Sequence, residues 1–305
     1  MQSELKAGVV GAGVFGGHHA RKLASLSCVT LVGVLDPHEE RAEALAGPLG
    51  ARTFDALEPF LDAVDVVVVA SPASSHAEVA AAALARGRHV YVEKPLADEL
   101  EAAERLVAQA GEAGLVLACG HQERAVFRAM GLFALPERPL RIEAVRRGTF
   151  ASRNLDVSCV LDLMIHDIDL ALTLDPSPAM AVRAEGRTTV GPFTDEARAE
   201  IAFAGGLTAV FEASRIAERR ERTMRIVYPS GEVEVDFLAR TFRNATPFAL
   251  EPDFAESPEG RDPLGASVSA FVAAARGEAE RPLVTGEEAA RTLEVALRVD
   301  RAAVG

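Results

Sequence analysis

Leu5-Lys6-Ala7-Gly8-Val9-Val10-Gly11-Ala12-Gly13-Val14-Phe15-Gly16 is the stretch that decides the fold. An apolar run ends at Gly11, and a helical pattern, Val14–Ser25, opens on the last glycines. G-x-G-x-x-G alone is weak, but between a strand and a helix at the start of a βαβ unit it reads as a dinucleotide loop. Gly11 allows the tight turn, Gly13 lets a pyrophosphate approach the backbone, and Gly16 lets the helix pack on the strand. The helix start, with Val14 and Phe15, offers free N–H groups and a partial positive charge to phosphates. The competing reading is a glycine-rich turn with no ligand.

The next strand, Val29–Leu35, ends at Asp36, 20 residues beyond Gly16. A carboxylate there accepts hydrogen bonds from ribose hydroxyls and repels a 2′-phosphate, so NAD is expected over NADP. Arg41 keeps NADP as the lesser alternative, and a helix N-cap is the plain structural reading of Asp36. Further strand–helix repeats follow: Val64–Ala70, Ser75–Arg86, His89–Val92, Asp98–Ala113 and Leu115–Cys119. Apolar runs such as Val64–Ala70 suit a sheet covered on both faces, and the alternation predicts a doubly wound parallel sheet. Ser71 and Pro72 turn the chain at the carboxyl edge of that sheet. His76, at the start of the next helix, either contacts cofactor or sits exposed.

Beyond Gly120 the pattern changes. Arg141–Phe150 reads as a strand and Leu161–Leu174 as a helix. Ala181–Thr189, Ala197–Phe203, Thr208–Ala213, Thr223–Tyr228 and Gly231–Asp236 then follow without helices between them, which predicts a large, mostly antiparallel open sheet. Residues 244–265 read as a long loop, before closing helices at Pro263–Arg276 and Gly286–Ala303. The expected fold class is α/β: an N-terminal Rossmann domain over 1–120 and a C-terminal α+β domain over 121–305 for substrate binding and oligomerisation.

The whole chain fits this reading. With 305 residues it is long enough for two cores. Its net charge of −13 disfavours nucleic acid and anionic membrane as partners. Cys28, Cys119 and Cys159 are odd in number and widely spaced, which suits reduced structural thiols and a cytoplasmic setting. The start of the chain has no signal-peptide pattern, no apolar run approaches a membrane span, and no GxSxG elbow or Ser-His-Asp arrangement appears. Lysine is scarce, three against 29 arginines, so a lysine in a special context draws notice. Lys94 is one, in Val92-Glu93-Lys94-Pro95.

With the glycine loop and Asp36, the run Gly87-Arg88-His89-Val90-Tyr91-Val92-Glu93-Lys94-Pro95 resembles the glucose–fructose oxidoreductase and inositol dehydrogenase family (Gfo/Idh/MocA). The second-domain run Asp162-Leu163-Met164-Ile165-His166-Asp167-Ile168-Asp169 and the later Pro282-Leu283-Val284 extend that resemblance over nearly the whole length. It implies a catalytic Lys94, with Asp162 and His166 as the family's aspartate and histidine. It also implies a cofactor site that includes Glu93, a cis bond before Pro95, and a homodimer or homotetramer.

Residues at i and i+4 share a helix face, so Asp162 and His166 can serve one site. His166 suits proton transfer near neutral pH. Lys94 would donate to the reacting oxygen, and Asp162 would orient His166 or bind a neighbouring hydroxyl. The bland alternatives are a surface lysine and a core Asp–His pair. A metal held by Asp162, His166 and Asp169 is a further one, but no metal is expected. His121, Arg124 and Arg153 are candidate substrate contacts, since arginines can grip phosphate or carboxylate; surface ion pairs are the alternative for the two arginines.

The family's substrates point to a sugar-type small molecule. Gly120-His121-Gln122-Glu123-Arg124 and Val160–Asp169 look most like members that oxidise the 3-hydroxyl of UDP-N-acetylglucosamine-type sugars. Ala125-Val126-Phe127-Arg128 depart from the Phe-Asn-Pro expected next. An inositol or free-sugar dehydrogenase is the runner-up. An imine or biliverdin-type reductase, or a non-catalytic NAD sensor, would be another class.

Overall fold

The computed structural model describes residues 4–151 and 156–304. It divides into two compact units: residues up to 122 with 262–290, and residues 123–261 with 291–305. The division expected at residue 120 follows the chain, whereas packing returns 262–290 to the first unit. The cause is the helix Pro263–Ala275, whose Val268, Phe271 and Val272 enter the same core as Ala7, Val9, Leu23, Val66 and Tyr91. Tyr91 Oη also lies 3.0 Å from Ser267 Oγ.

The first unit holds a six-stranded sheet: β1 (Leu5–Val10), β2 (Val29–Leu35), β3 (Arg52–Phe54), β4 (Val66–Val69), β5 (His89–Val92) and β6 (Leu117–Cys119). All neighbours are parallel, in the order β3-β2-β1-β4-β5-β6. That is the doubly wound dinucleotide-binding order, whose direction reverses between β1 and β4, where such sheets take ligands. All four residues of β4 are buried, as a strand covered on both faces requires. Two elements lie outside the expected set: β3, and the helix Leu57–Ala63. A three-residue strand, two of its residues exposed, carries no apolar run to read.

The second unit holds β7 (Arg141–Arg147), β8 (Ala179–Arg187), β9 (Glu196–Phe203), β10 (Thr208–Ser214), β11 (Glu221–Tyr228), β12 (Gly231–Asp236) and β13 (Thr241–Asn244). They form one sheet in the order β13-β12-β11-β7-β10-β9-β8. Only β7 and β10 run parallel; the other pairs are antiparallel. Burial alternates along β9, with Ala197, Ala199, Ile201 and Phe203 buried between exposed residues, so one face is covered and the other open. Ion pairs such as Arg147–Glu212 and Arg243–Glu234 line partly exposed positions and add little stability singly.

Three readings need correction here. The expected helix Leu161–Leu174 is a π-helical turn over Val160–Met164 that passes into an α-helix at Ile165–Leu174; such turns cluster at functional sites. Glu123–Met130 is a helix that the sequence reading did not assign. The expected loop 244–265 contains short helical turns at Phe254–Glu256 and Pro258–Arg261. No helix among the described residues is long and apolar enough to cross a membrane.

Candidate functional site

In the first unit the glycine loop meets each expected demand. Gly11 has φ +100, and a Cβ on it would lie 2.6 Å from the Ala70 carbonyl oxygen. The loop therefore presses on the chain leaving β4, next to Ser71 and Pro72. A Cβ on Gly16 would overlap the Gly11 carbonyl oxygen, so the helix Val14–Ser25 sits directly on the turn. A Cβ on Gly13 would meet nothing within 4 Å. Gly13 is the N-cap, and Val14 and Phe15 beyond it are exposed.

Open space over Gly13 and the unshared N–H groups of the first helical turn fit a diphosphate. Asp36 is tied to this loop: its Oδ2 accepts from Ala12 N–H at 2.7 Å and its Oδ1 from His38 N–H at 2.9 Å. It is thus braced beside the glycines, and His38 rather than Asp36 is the N-cap of the next helix. Its free lone pairs remain for ribose hydroxyls. The residues present fit NAD. Asp36→Ala is expected to weaken NAD binding about tenfold, on the order of one lost charge-assisted hydrogen bond. Titration with NAD and NADP checks it, and an unchanged preference for NAD over NADP counts against the assignment.

The carboxyl ends of β4 and β5 are joined by His76. Its Nδ1 lies 2.7 Å from the Pro95 carbonyl oxygen and its Nε2 2.9 Å from that of Ser71. The ring is buried and both nitrogens face backbone. Its burial overturns the exposed alternative, and His76 ties the segment carrying Lys94 to the end of β4. The Lys94–Pro95 bond is cis.

Glu93 is likewise turned inward. His19 Nε2 lies 2.6 Å from its Oε1, and Gln122 Nε2–H donates to the same oxygen at 3.0 Å. Burial opposes ionisation of Glu93, but the hydrogen bond and charge of His19, with Lys94 and His76, hold its carboxyl below the usual range. Glu93 therefore braces the motif from behind.

In the second unit, Asp162 lies in the π-helical turn and His166 in the first turn of the α-helix that continues it. His166 Nδ1 lies 2.7 Å from Glu123 Oε2. The carboxylate that fixes this nitrogen is thus Glu123, at the start of the unassigned helix. Arg146 Nη1–H donates to Glu123 Oε1 at 3.0 Å, and Arg146 donates twice to Asp167, at 3.0 and 2.8 Å. Burial works against the Glu123 carboxylate, yet His166 and Arg146 outweigh it and hold the group well below its usual range. Asp167 thus pairs with Arg146.

The remaining candidates fare differently. Arg124 is buried and makes a two-pronged pair with Asp169, at 2.8 and 2.7 Å. Its ion pair is thus a buried one within its unit rather than a surface one. Asp169 Oδ1 also accepts from Thr292 Oγ1–H at 3.1 Å, so this carboxylate is spent on protein donors rather than on a metal. No group of three or more His, Cys, Asp or Glu among the described residues is arranged to hold a metal ion. His121 is buried. Arg153 lies outside the described residues. Glu123 and Arg146 are functional candidates that the sequence reading missed. The one signal for Glu123 was its place within Gly120–Arg124.

Comparison with known proteins identifies the family. The family model described as "Oxidoreductase family, NAD-binding Rossmann fold" matches residues 5–121, and "GFO/IDH/MocA C-terminal domain" matches 133–234. The chain is similar to UDP-N-acetylglucosamine 3-dehydrogenase of Acidithiobacillus ferrooxidans, at 36% identity over 97% of this chain and 96% of that one. It is also similar to scyllo-inositol 2-dehydrogenase (NAD(+)) of Bacillus subtilis, at 29% identity over 70% of this chain and 68% of that one. The solved structure of the Acidithiobacillus ferrooxidans enzyme matches with TM-score 0.88 at 33% identity, over 98% of this chain and 97% of that one. GenD2 from gentamicin A biosynthesis, solved in complex with NAD, matches with TM-score 0.84 at 26% identity, over 99% of this chain and 95% of that one. The chain belongs to the Gfo/Idh/MocA family of NAD-binding oxidoreductases.

Proposed function

We propose that this dehydrogenase oxidises a secondary hydroxyl of a nucleotide sugar, of the UDP-N-acetylglucosamine type and at its 3-position. The observation that carries the chemistry is the Glu123–His166 pair. An anionic carboxylate only accepts, so Nδ1 of His166 holds its proton toward Glu123 and Nε2 is the basic nitrogen of the ring. That nitrogen takes the proton from the substrate hydroxyl, and Glu123 stabilises the imidazolium that results. Lys94 donates a hydrogen bond to the reacting oxygen as negative charge develops on it. Asp162 binds a neighbouring hydroxyl or steadies His166. Bound NAD supplies the hydride acceptor, and the glycine loop and Asp36 hold it. The substrate assignment is supported by the 36% identity to the Acidithiobacillus ferrooxidans enzyme along nearly the whole chain.

The test is a panel of UDP-sugars, free sugars and inositols with NAD⁺, read as NADH absorbance. Turnover highest on UDP-N-acetylglucosamine-type sugars supports the reading. Preference for inositols or free sugars overturns the substrate class, and no turnover with NAD binding intact favours a sensor. A homodimer or homotetramer belongs to the same reading. Light scattering that returns the mass of one chain would overturn it.

A further inference from the structure

Strand β11 places a second arginine beside the Glu123–His166 pair. In the antiparallel pairing of β11 with β7, Arg222 lies directly opposite Arg146, so both side chains leave the same face of the sheet. Like charges directly opposite each other are unfavourable. Arg146 is compensated by Glu123 and Asp167, whose four carboxylate oxygens all have partners. Glu123 Oε1 and both oxygens of Asp167 are taken by Arg146, and Glu123 Oε2 by His166. Among the described residues, no hydrogen-bond acceptor or carboxylate pairs with the Arg222 guanidinium, although the residue is half-buried.

Burial works against its charge first, and the charges of Arg146 and Arg220 add to that, partly offset by Glu123 and Asp167. A guanidinium that keeps five donors unused in a half-buried setting is suited to an incoming anion.

We infer that Arg222, with the exposed Arg220 beside it, is the contact for an anionic oxygen group of the substrate, phosphate or carboxylate, next to His166. This rests on the sugar-dehydrogenase reading and narrows it to acidic substrates. A neutral sugar or an inositol could offer the guanidinium hydroxyl acceptors but no charge to meet its own. A diphosphate linked to the sugar, or a uronate carboxylate, would supply two oxygens to its planar fork.

The experiment is titration calorimetry on protein saturated with NAD⁺, using UDP in one arm and glucuronate in the other. Wild type, Arg222→Gln and Arg222→Lys are compared. Binding of UDP that weakens at least tenfold in Arg222→Gln and is partly kept in Arg222→Lys, with unchanged NAD affinity, supports a phosphate contact. The same pattern with glucuronate supports a carboxylate contact. Equal affinity in wild type and Arg222→Gln overturns the inference, as does a wild type that binds neither probe. Should Arg222→Gln fail to fold, Arg220→Gln takes its place, with at least threefold weaker binding expected and no change overturning the inference.

The two readings fail separately. If UDP binding depends on Arg222 yet no UDP-sugar is oxidised, the anion contact stands and the proposed function falls. If neutral sugars turn over and neither anion binds, the dehydrogenase reading stands and the anion contact falls.

Discussion

His166→Ala lowers turnover by roughly 10²–10⁴-fold, the range for removing a positioned general base, while NAD affinity stays near wild type. The expectation follows from where the residue's contacts lie. Its Nδ1 is held by Glu123, which is itself fixed by the fully buried Arg146. The ring is thereby presented in one orientation, and alanine removes the group through which, in the proposed mechanism, this carboxylate acts on the hydroxyl proton. Glu123→Gln keeps the shape and removes the anion, so a smaller loss is expected, about 10-fold or more, in the way that misorienting a histidine costs turnover. Stopped-flow measurement of NADH formation separates the hydride step from release. Wild-type turnover in His166→Ala would place the base elsewhere, and a collapse of NAD binding would make the role structural.

Apart from β3, the strands of the first unit were legible because they are mostly apolar runs closed by special residues. Val29–Leu35 ends at Asp36 and His89–Val92 at Glu93, and both match the paired strands. Lys94 and the glycines could be read from local context alone. What links Glu123 to His166 could not. The two residues are 43 positions apart, and the helix that begins at Glu123 carries no repeat long enough to stand out. Arg146 illustrates a second limit. In β7 it occupies a buried alternate position that a pattern of apolar residues would give to valine or isoleucine. It is tolerated there because Asp167 and Glu123 accept its donors, a condition visible only once the helices are packed on the sheet. The π-helical turn is hidden for a related reason. Over five residues, apolar spacing fits a period of 3.6 and a wider turn equally well, so the choice is made by packing. His76 and Glu93 were found by position, but their partners were not. A residue near a phosphate-binding edge can face the ligand or brace the loop behind it, and the sequence does not distinguish the two directions.

Gly13→Ala and Gly16→Ala are expected to weaken or abolish NAD binding in two different ways, and the contrast tests the cofactor site. At Gly16 the added methyl would overlap the Gly11 carbonyl oxygen, a backbone atom that cannot rotate away. The helix Val14–Ser25 must then move off the turn, or Gly11 must leave the conformation that presses it against Ala70. Overpacking of this kind costs about 1–3 kcal/mol or more, so the melting temperature of the protein without cofactor falls and NAD binding is lost with it. At Gly13 a methyl meets nothing within 4 Å, and φ of −75 is open to any residue. Gly13→Ala should therefore melt with wild type in the absence of cofactor. Its methyl fills the space through which a diphosphate would reach the helix N-terminus, so the rise in melting temperature that a bound ligand gives should be reduced or absent. Scanning calorimetry of the three proteins with and without NAD reads both effects. A Gly13→Ala protein that NAD stabilises as strongly as wild type would mean that the phosphates do not approach at Gly13, and the loop would then be a packing turn rather than the cofactor's cradle.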